Sequence, residues 1–182
     1  MDLAIVGLSP STHDEAFDGE FDEIWGMPWD EGYWCRYTRL FEMHNLNLLR
    51  SIPCRPDDYE QRLREVDVPL YMQEEYSELT CTRYPVDSVS RITGNYFNSS
   101  IAYMVAYAIY LQVDKISLFG VDMKADEEFF YQRPNLEYLL GLAKGKGIEI
   151  FIPEKSPLLK FNPTGIKFGD EFVTYKGRYG YQ

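Results

Sequence analysis

Cysteine is scarce in this sequence. Its 182 residues include three cysteines, Cys35, Cys54 and Cys81, which are widely spaced and form no Cys-x-x-Cys pair. An odd number of scattered cysteines indicates neither a disulfide framework nor a zinc knuckle. We therefore expect a protein of the reducing cytoplasm.

Basic residues are scarce as well. The chain has 18 lysines and arginines against 29 acidic residues, which gives a net charge of -11. Proteins with a broad nucleic-acid surface neutralise many phosphates with Lys and Arg. The composition therefore excludes such a surface and leaves room only for a local basic pocket.

Long apolar runs are missing too. No run approaches the ~18 uninterrupted apolar residues of a membrane-spanning helix. The opening stretch MDLAIVGLSP has an acid at position 2 and a glycine at position 7. This pattern is typical of a strand and not of a signal peptide, so we expect neither a membrane span nor a signal sequence.

Short apolar runs alternate with helical segments along most of the chain. The predicted strands are 3–7, 23–27, 39–44, 68–73, 115–119 and 148–153, and the predicted helices are 56–66, 97–113 and 134–147. Alternating strands and helices favour a parallel sheet with right-handed crossovers. We predict a single-domain α/β protein over residues 1–160, with a Rossmann-like, mostly parallel sheet and helices on both faces.

The last residues differ in character. Residues 161–182 have Gly-containing turns between aromatic and β-branched runs. This pattern indicates a β-hairpin or an extended arm. The arm would pack on the domain or on a second subunit of a homo-oligomer.

Polar residues follow two of the predicted strands. Gly7, Ser9, Ser11 and Thr12 follow the first strand, and the string GVD ends the strand that begins at 115. Open α/β sheets hold ligands at the carboxyl ends of their strands, where backbone N–H groups can bind phosphate. We expect the first loop to bind a phosphate. Asp122 would orient a ribose hydroxyl or a metal, or would only cap the next turn.

Three blocks carry a resemblance to a known family. They are NSSIAYMVAYAIYLQVDKISLFGVD (residues 98–122), IVGLSPST near the start, and IEIFIPEKSPLLK after the last predicted helix. Together they resemble the bacterial lipooligosaccharide sialyltransferases and, more loosely, the related motility-accessory and archaeal pterin-diphosphokinase proteins. The strings EIWGMPW, FEMH and YQRPNLEYLLGLAKGKGI also resemble small proteins encoded by tailed phages.

The resemblance implies roles for residues around the strand that ends in Gly-Val-Asp. Ser100 would lie beside the sugar nucleotide, unless Ser99 and Ser100 only cap the helix. Lys124, Tyr131 and Arg133 would stabilise a leaving phosphate. The alternatives are that Lys124 is a solvated loop lysine and that Arg133 pairs with an acid such as Glu137.

The resemblance also leaves the general base and the nucleotide open. The family's base is a His downstream of the Gly-Val-Asp strand, but this chain has no His after residue 44. His44 is therefore the candidate base, although a lone His is often structural. The family has Asn-Gly where this chain has Leu8 and Ser9, and an Asn that contacts the nucleotide where this chain has Met27 and Pro28, so cytidine specificity does not carry over.

No metal ligand is assigned. The acidic run at residues 13–23 offers carboxylates that suit Mg²⁺ but matches no known metal loop, and a solvated mobile loop is the alternative. Mg²⁺ is thus possible and no other cofactor is indicated. We predict a nucleotide-sugar-binding, glycosyltransferase-like group transferase. The alternatives are Mg²⁺-dependent diphosphate transfer and a non-enzymatic nucleotide-binding phage protein in the host cytoplasm.

Overall fold

The core of the molecule is a parallel sheet. The computed structural model describes residues 1–30, 32–51, 56–123, 127–160, 166–168 and 171–173. Within them, the sheet strands are β1 (Asp2–Val6), β2 (Glu23–Gly26), β3 (Arg39–Glu42), β4 (Leu70–Met72), β5 (Thr82–Arg83), β6 (Lys115–Phe119) and β7 (Glu149–Phe151). Their order is β5-β4-β3-β2-β1-β6-β7, and each neighbouring pair is parallel.

Helices cover both faces of this sheet. They are α1 (Leu46–Ser51), α2 (Tyr59–Glu65), α3 (Val86–Thr93), α4 (Ser100–Leu111) and α5 (Glu127–Gly145), with short 3-10 helices at Asp14–Phe17 and Trp34–Arg36. Apolar residues of α3, α4 and α5 pack on one face, and those of α1 and α2 pack on the other. The arrangement confirms the predicted Rossmann-like α/β class.

β1 shows why the sheet is buried on both sides. Leu3 and Ile5 belong to the core cluster that contains α4, whereas Ala4 and Val6 belong to the opposite cluster. Successive side chains of a strand point to opposite faces, so an unbroken apolar run suits a strand covered twice. β1 lies between β2 and β6, and the strand order reverses there. Such a switch point opens a crevice at the carboxyl ends of the strands.

The N-terminus of α4 is set by its cap. The Ser99 hydroxyl accepts a hydrogen bond from the Ala102 N–H at 3.1 Å, and Ser99 has an extended backbone. A serine in this position satisfies one of the N–H groups that have no partner within the helix. Ser99 is therefore the cap, and Ser100 is the first helical residue.

α5 begins seven residues before the predicted start. The helix runs from Glu127, with Pro134 inside it. Proline costs a helix one backbone hydrogen bond, so it usually marks a first turn. Here the Asn98 N–H donates to Asn135 Oδ1 at 3.0 Å, and Asn98 Nδ2 donates to the Tyr131 carbonyl at 3.2 Å. These contacts anchor the helix on both sides of the proline.

The helices α1 and α3 and the edge strand β5 were not predicted. Near the C-terminus, β8 (Ile166–Phe168) and β9 (Glu171–Val173) pair antiparallel, which is the hairpin form expected for the arm. The rest of the predicted arm at 161–182 lies outside the described residues. In the part of the chain that is described, no helix is long and apolar enough to cross a membrane.

Candidate functional site

A cleft of about 810 Å³ opens at the carboxyl ends of β1 and β6. The loop after β1, the start of α4, the turn after β6 and the residues after β3 surround it. The predicted site residues that line it are Gly7, Ser9, Ser11, His44, Ser100 and Asp122. The structure thus brings together side chains that are more than a hundred residues apart in sequence.

The floor of the cleft is made of two backbones in close contact. The Gly7 N–H donates to the Phe119 carbonyl at 2.8 Å, and the Ser9 N–H donates to the Gly120 carbonyl at 2.8 Å. A Cβ atom on Gly7 would lie 2.5 Å from the Gly120 oxygen, and one on Gly120 would lie 2.3 Å from the Gly7 oxygen. Gly120 also has a φ of 62°, which favours glycine. Glycine ends both strands because no side chain fits between them.

Asp122 holds the loop after β1 in place. Its Oδ2 accepts from the Ser9 hydroxyl at 2.8 Å, and its Oδ1 accepts from the Ser11 hydroxyl at 2.7 Å. Asp122 is only 6% exposed. A buried carboxylate needs such donors, and the pairing fixes both hydroxyls at the cleft wall.

Thr12 stabilises the turn after β6, which forms part of the cleft floor. It is buried, and its hydroxyl accepts a hydrogen bond from the Gly120 N–H at 2.8 Å. Thr12 is not among the residues that line the cleft. The Thr12 hydroxyl is thus directed to the turn after β6, and a contact of Thr12 with phosphate stays a prediction.

Ser100 lies at the positive end of α4. The neighbouring Ser99 supplies the helix cap, while Ser100 lines the cleft with Ile101 and Asn98. The amino end of a helix carries partial positive charge and N–H groups that suit an anion. The wall at Ser100 is therefore suited to a phosphate.

His44 lies on the part of the cleft near β3, with 44% of its side chain exposed. Its Nδ1 lies 2.6 Å from Glu42 Oε1, and its backbone N–H donates to the same oxygen at 3.0 Å. Glu42, at the end of β3, is 1% exposed. Glu42 was not among the predicted site residues. The local signal for it was an acid inside the predicted strand RLFEMH, two residues before a histidine, and that signal does not show whether the side chain is buried.

Two aromatic side chains complete the surroundings of Glu42. The Trp29 Nε1–H donates to Glu42 Oε2 at 2.8 Å, and the Tyr59 hydroxyl donates to the same oxygen. Both carboxylate oxygens therefore have donors. These hydrogen bonds offset the free-energy cost of burying the carboxylate charge.

Two of the residues predicted to hold a leaving phosphate, Tyr131 and Arg133, are not among the residues that line the cleft. Arg133 Nε donates to Glu137 Oε1 at 2.8 Å, and Nη2 donates to the Pro157 carbonyl at 3.2 Å. This is the ion pair with Glu137 that was the alternative to phosphate binding. It forms because Arg133 lies inside α5, one helical turn before Glu137. Tyr131 is 68% exposed, whereas its neighbour Gln132 lines the cleft.

The remaining predicted phosphate ligand, Lys124, lies outside the described residues. Among the lining residues that the structure describes there is no Lys or Arg. A phosphate would therefore be bound there by main-chain N–H groups and by uncharged side chains such as that of Ser100.

The second histidine lies in a separate, buried network. His13 Nε2 lies 2.7 Å from Asp30 Oδ2, and His13 Nδ1 lies 2.8 Å from Asp14 Oδ1. The Tyr37 hydroxyl also donates to Asp30. Burial alone would lower the pKa of His13, but the hydrogen bonds to Asp14 and Asp30 outweigh it and hold the pKa above its usual value.

The acidic run at 13–23 contains a short regular element and has contacts with the rest of the domain. It contains the 3-10 helix Asp14–Phe17 with Ala16 buried, and Asp22 accepts from the Asp2 N–H at 2.6 Å. Over the described ranges, no group of three or more His, Cys, Asp or Glu side chains is placed to hold a metal ion.

Comparisons with known proteins support the fold. No protein-family profile and no curated protein sequence match the chain. The sialyltransferase CstII from Campylobacter jejuni, in complex with the substrate analogue CMP-3FNeuAc, matches with a TM-score of 0.54 and 15% identity, over 86% of this chain and 81% of that one. The same enzyme with cytidine-5'-monophosphate matches with a TM-score of 0.53 and 15% identity, over 98% of both chains.

A third match is the sialyltransferase CST-II in complex with a trisaccharide acceptor and CMP. It has a TM-score of 0.53 and 14% identity, over 86% of this chain and 82% of that chain. At these identities the matches establish a shared fold, which confirms the sialyltransferase part of the resemblance at the level of architecture. The resemblance to phage, motility-accessory and pterin-diphosphokinase proteins stays a prediction.

Proposed function

We propose that the chain is a nucleotide-sugar-binding group transferase of the glycosyltransferase type. The observation that carries the proposal is the cleft at the switch point of the sheet. It combines a glycine floor, the hydroxyls of Ser9 and Ser11, the start of α4 at Ser100 and a histidine paired with a buried carboxylate. The architecture shared with sialyltransferases that bind CMP and its sugar derivative supports the same function.

The phosphate would lie between the loop after β1 and the start of α4. Backbone N–H groups and the positive end of a helix bind phosphate without basic side chains. Asp122 repels phosphate, but a carboxylate accepts readily from the hydroxyls of a ribose or a sugar. We therefore assign the phosphate to the Ser100 side and the ribose or sugar hydroxyls to the Asp122 side.

The cleft is long enough to separate donor and acceptor. β6 and β3 are three strand spacings apart, which is roughly 14 Å, and the cleft extends from Asp122 after β6 to His44 after β3. His44 would thus act on the acceptor. The acceptor oxygen attacks the anomeric carbon, the bond from that carbon to the phosphate oxygen breaks, and its electron pair leaves with the nucleotide. His44 takes the proton from the acceptor hydroxyl.

A ligand screen tests this proposal. The melting temperature is measured with nucleoside monophosphates, with CMP-, UDP- and GDP-linked sugars, and with ATP in the presence and absence of Mg²⁺. A ligand at about 100 times its Kd stabilises the protein by ~2.7 kcal/mol. We expect stabilisation by a sugar nucleotide and by the matching nucleotide.

A matched pair of variants locates the binding. Ser100→Glu places a negative charge where the phosphate is expected and should abolish the stabilisation. Ser77→Glu makes the same charge change at an exposed loop position and should leave it intact. If no sugar nucleotide stabilises the protein, or if Ser100→Glu binds as the unchanged chain does, the proposal is wrong.

Two outcomes of the same screen favour the alternatives. Stabilisation by ATP only with Mg²⁺ would indicate diphosphate transfer. Nucleotide binding without any turnover of a sugar nucleotide would indicate a non-enzymatic nucleotide-binding protein, as expected for the phage resemblance.

A further inference from the structure

The hydrogen bonds of Glu42 do more than satisfy its buried charge. The end of β3 brings its carboxylate into the core, where it is 1% exposed, while His44 two residues later reaches the cleft. We propose that Glu42 is a positioning residue that fixes the ring orientation and the tautomer of His44. The catalytic value of this arrangement rests on the proposed function, whereas the coupling of the two side chains does not.

The carboxylate of Glu42 is held at both oxygens. Oε2 accepts from the Trp29 indole N–H at 2.8 Å and from the Tyr59 hydroxyl. Oε1 accepts from the His44 backbone N–H at 3.0 Å. The indole and backbone N–H groups can only donate, so the carboxylate plane is fixed by groups other than the imidazole. Glu42 therefore presents Oε1 to the ring in a set direction.

This direction determines which ring nitrogen carries the proton. An ionised carboxylate only accepts hydrogen bonds, and Nδ1 lies 2.6 Å from Glu42 Oε1. Nδ1 must therefore be the protonated nitrogen of the neutral ring, and Nε2 becomes the nitrogen that can take a proton. A base is useful only in the correct tautomer, so Glu42 would act through His44 without touching the substrate.

Nitrogen-15 spectra of the imidazole rings test the proposal on the ligand-free protein. The chain has two histidines, so His13→Gln assigns the signals. At a pH where His44 is neutral, the unchanged chain should show a proton on Nδ1 and none on Nε2. A proton found on Nε2 overturns the proposal before any change is made at Glu42.

Glu42→Gln then tests the cause. The amide has one oxygen, which can face either the Trp29 indole or the two N–H groups of His44, and in both orientations the negative charge that favours a proton on Nδ1 is lost. The tautomer ratio of His44 should then change toward Nε2–H by about tenfold or more, as expected when one charge-assisted hydrogen bond is lost. Tyr59→Phe is the control, since it removes another donor to Glu42 and leaves Oε1 in place.

The outcomes separate this proposal from the proposed function. A change in Glu42→Gln but not in Tyr59→Phe supports the positioning role. An unchanged ring in Glu42→Gln, or an equal change in both variants, overturns it. If the ring responds as expected and no sugar nucleotide binds, the coupling stands and only the proposed function fails.

Discussion

The two histidine networks are built from the same three kinds of side chain. In one, Asp30 accepts from His13 and from Tyr37; in the other, Glu42 pairs with His44 and accepts from Tyr59. Both carboxylates are buried. The difference is access, because His13 is 7% exposed and does not line the cleft, whereas His44 does.

A histidine paired with an acid is therefore not in itself a sign of catalysis. The His13 network ties the segment after the first loop to the segment that follows β2. Asp30 and Tyr37 are buried and bonded within the core, so their contacts contribute to stability. The His44 network turns one side of a ring toward a space that a ligand can enter. Substitutions in the two networks should therefore differ in their effect on stability.

Asp30→Ala should have the largest effect on stability. It leaves the imidazole of His13 and the buried hydroxyl of Tyr37 without their shared acceptor. Removing one partner of a buried charged pair costs about 3 to 5 kcal/mol. Urea denaturation should show that loss in the free energy of unfolding. Asp14 is an exposed partner of the same histidine, so Asp14→Ala should lower the free energy of unfolding much less. Equal losses in the two variants would contradict a buried network.

Tyr37→Phe should cost more than Tyr59→Phe. Each change removes one hydroxyl donor to a buried carboxylate, and a hydrogen bond to a charged group contributes about 1.5 to 3 kcal/mol. Glu42 keeps its donors from Trp29 and from the His44 backbone, so Tyr59→Phe should fall at or below the lower end of that range. Comparison of the two urea midpoints checks this order, which the reverse result would refute.

The pH dependence of stability should come from His13. Because its pKa is raised in the folded protein, the fold stabilises the protonated ring. That stability is fully present below the unfolded pKa of about 6.5 and is lost as the pH rises through the higher folded pKa. Asp14, Asp30, Tyr33 and Tyr37 surround the ring. Urea midpoints should therefore fall as the pH rises above about 6.5.

His13→Gln is the control for this titration. Its urea midpoint should change much less over the same pH range, because glutamine does not titrate. A variant that loses as much stability with rising pH as the unchanged chain would assign the effect to another group.

His44→Gln should have the smallest effect on stability. Substitutions of partly exposed side chains usually change the free energy of unfolding by less than about 1 kcal/mol. Glu42 would keep its other donors, so its buried charge stays satisfied. A loss as large as that in Asp30→Ala, measured by the same urea assay, would show that His44 serves the core and not the cleft.

Local patterns were sufficient to predict most of the sheet. β1, β6 and α4 are apolar runs with clear ends, and their order alone implies a parallel sheet with a crevice at Gly7 and Asp122. The missed elements carry weak local signals. β5 has two residues, and α3 buries only Val89 and Thr93.

The strength of the local pattern also explains which site residues were predicted and which were missed. Ser9, Ser11, Ser100 and His44 follow or begin regular elements, so topology places them at one edge. Glu42 was missed because its burial depends on donors 13 and 17 residues away, which no local pattern reveals.

The expectation that Arg133 binds a phosphate depended on a helix boundary at Pro134, and it stays a prediction. Once the helix begins earlier, Glu137 becomes a neighbour on the same helix face.

The contact between the two glycine-ended strands has a consequence for isotope exchange. The amide of Gly7 is bonded to Phe119, and that of Gly120 is bonded to the buried hydroxyl of Thr12. Amides held in this way exchange with deuterated solvent only when the surrounding structure opens. The exchange rates of these two amides would therefore report how often β1 and β6 separate at their ends. A ligand that bridges the two loops would slow both rates together.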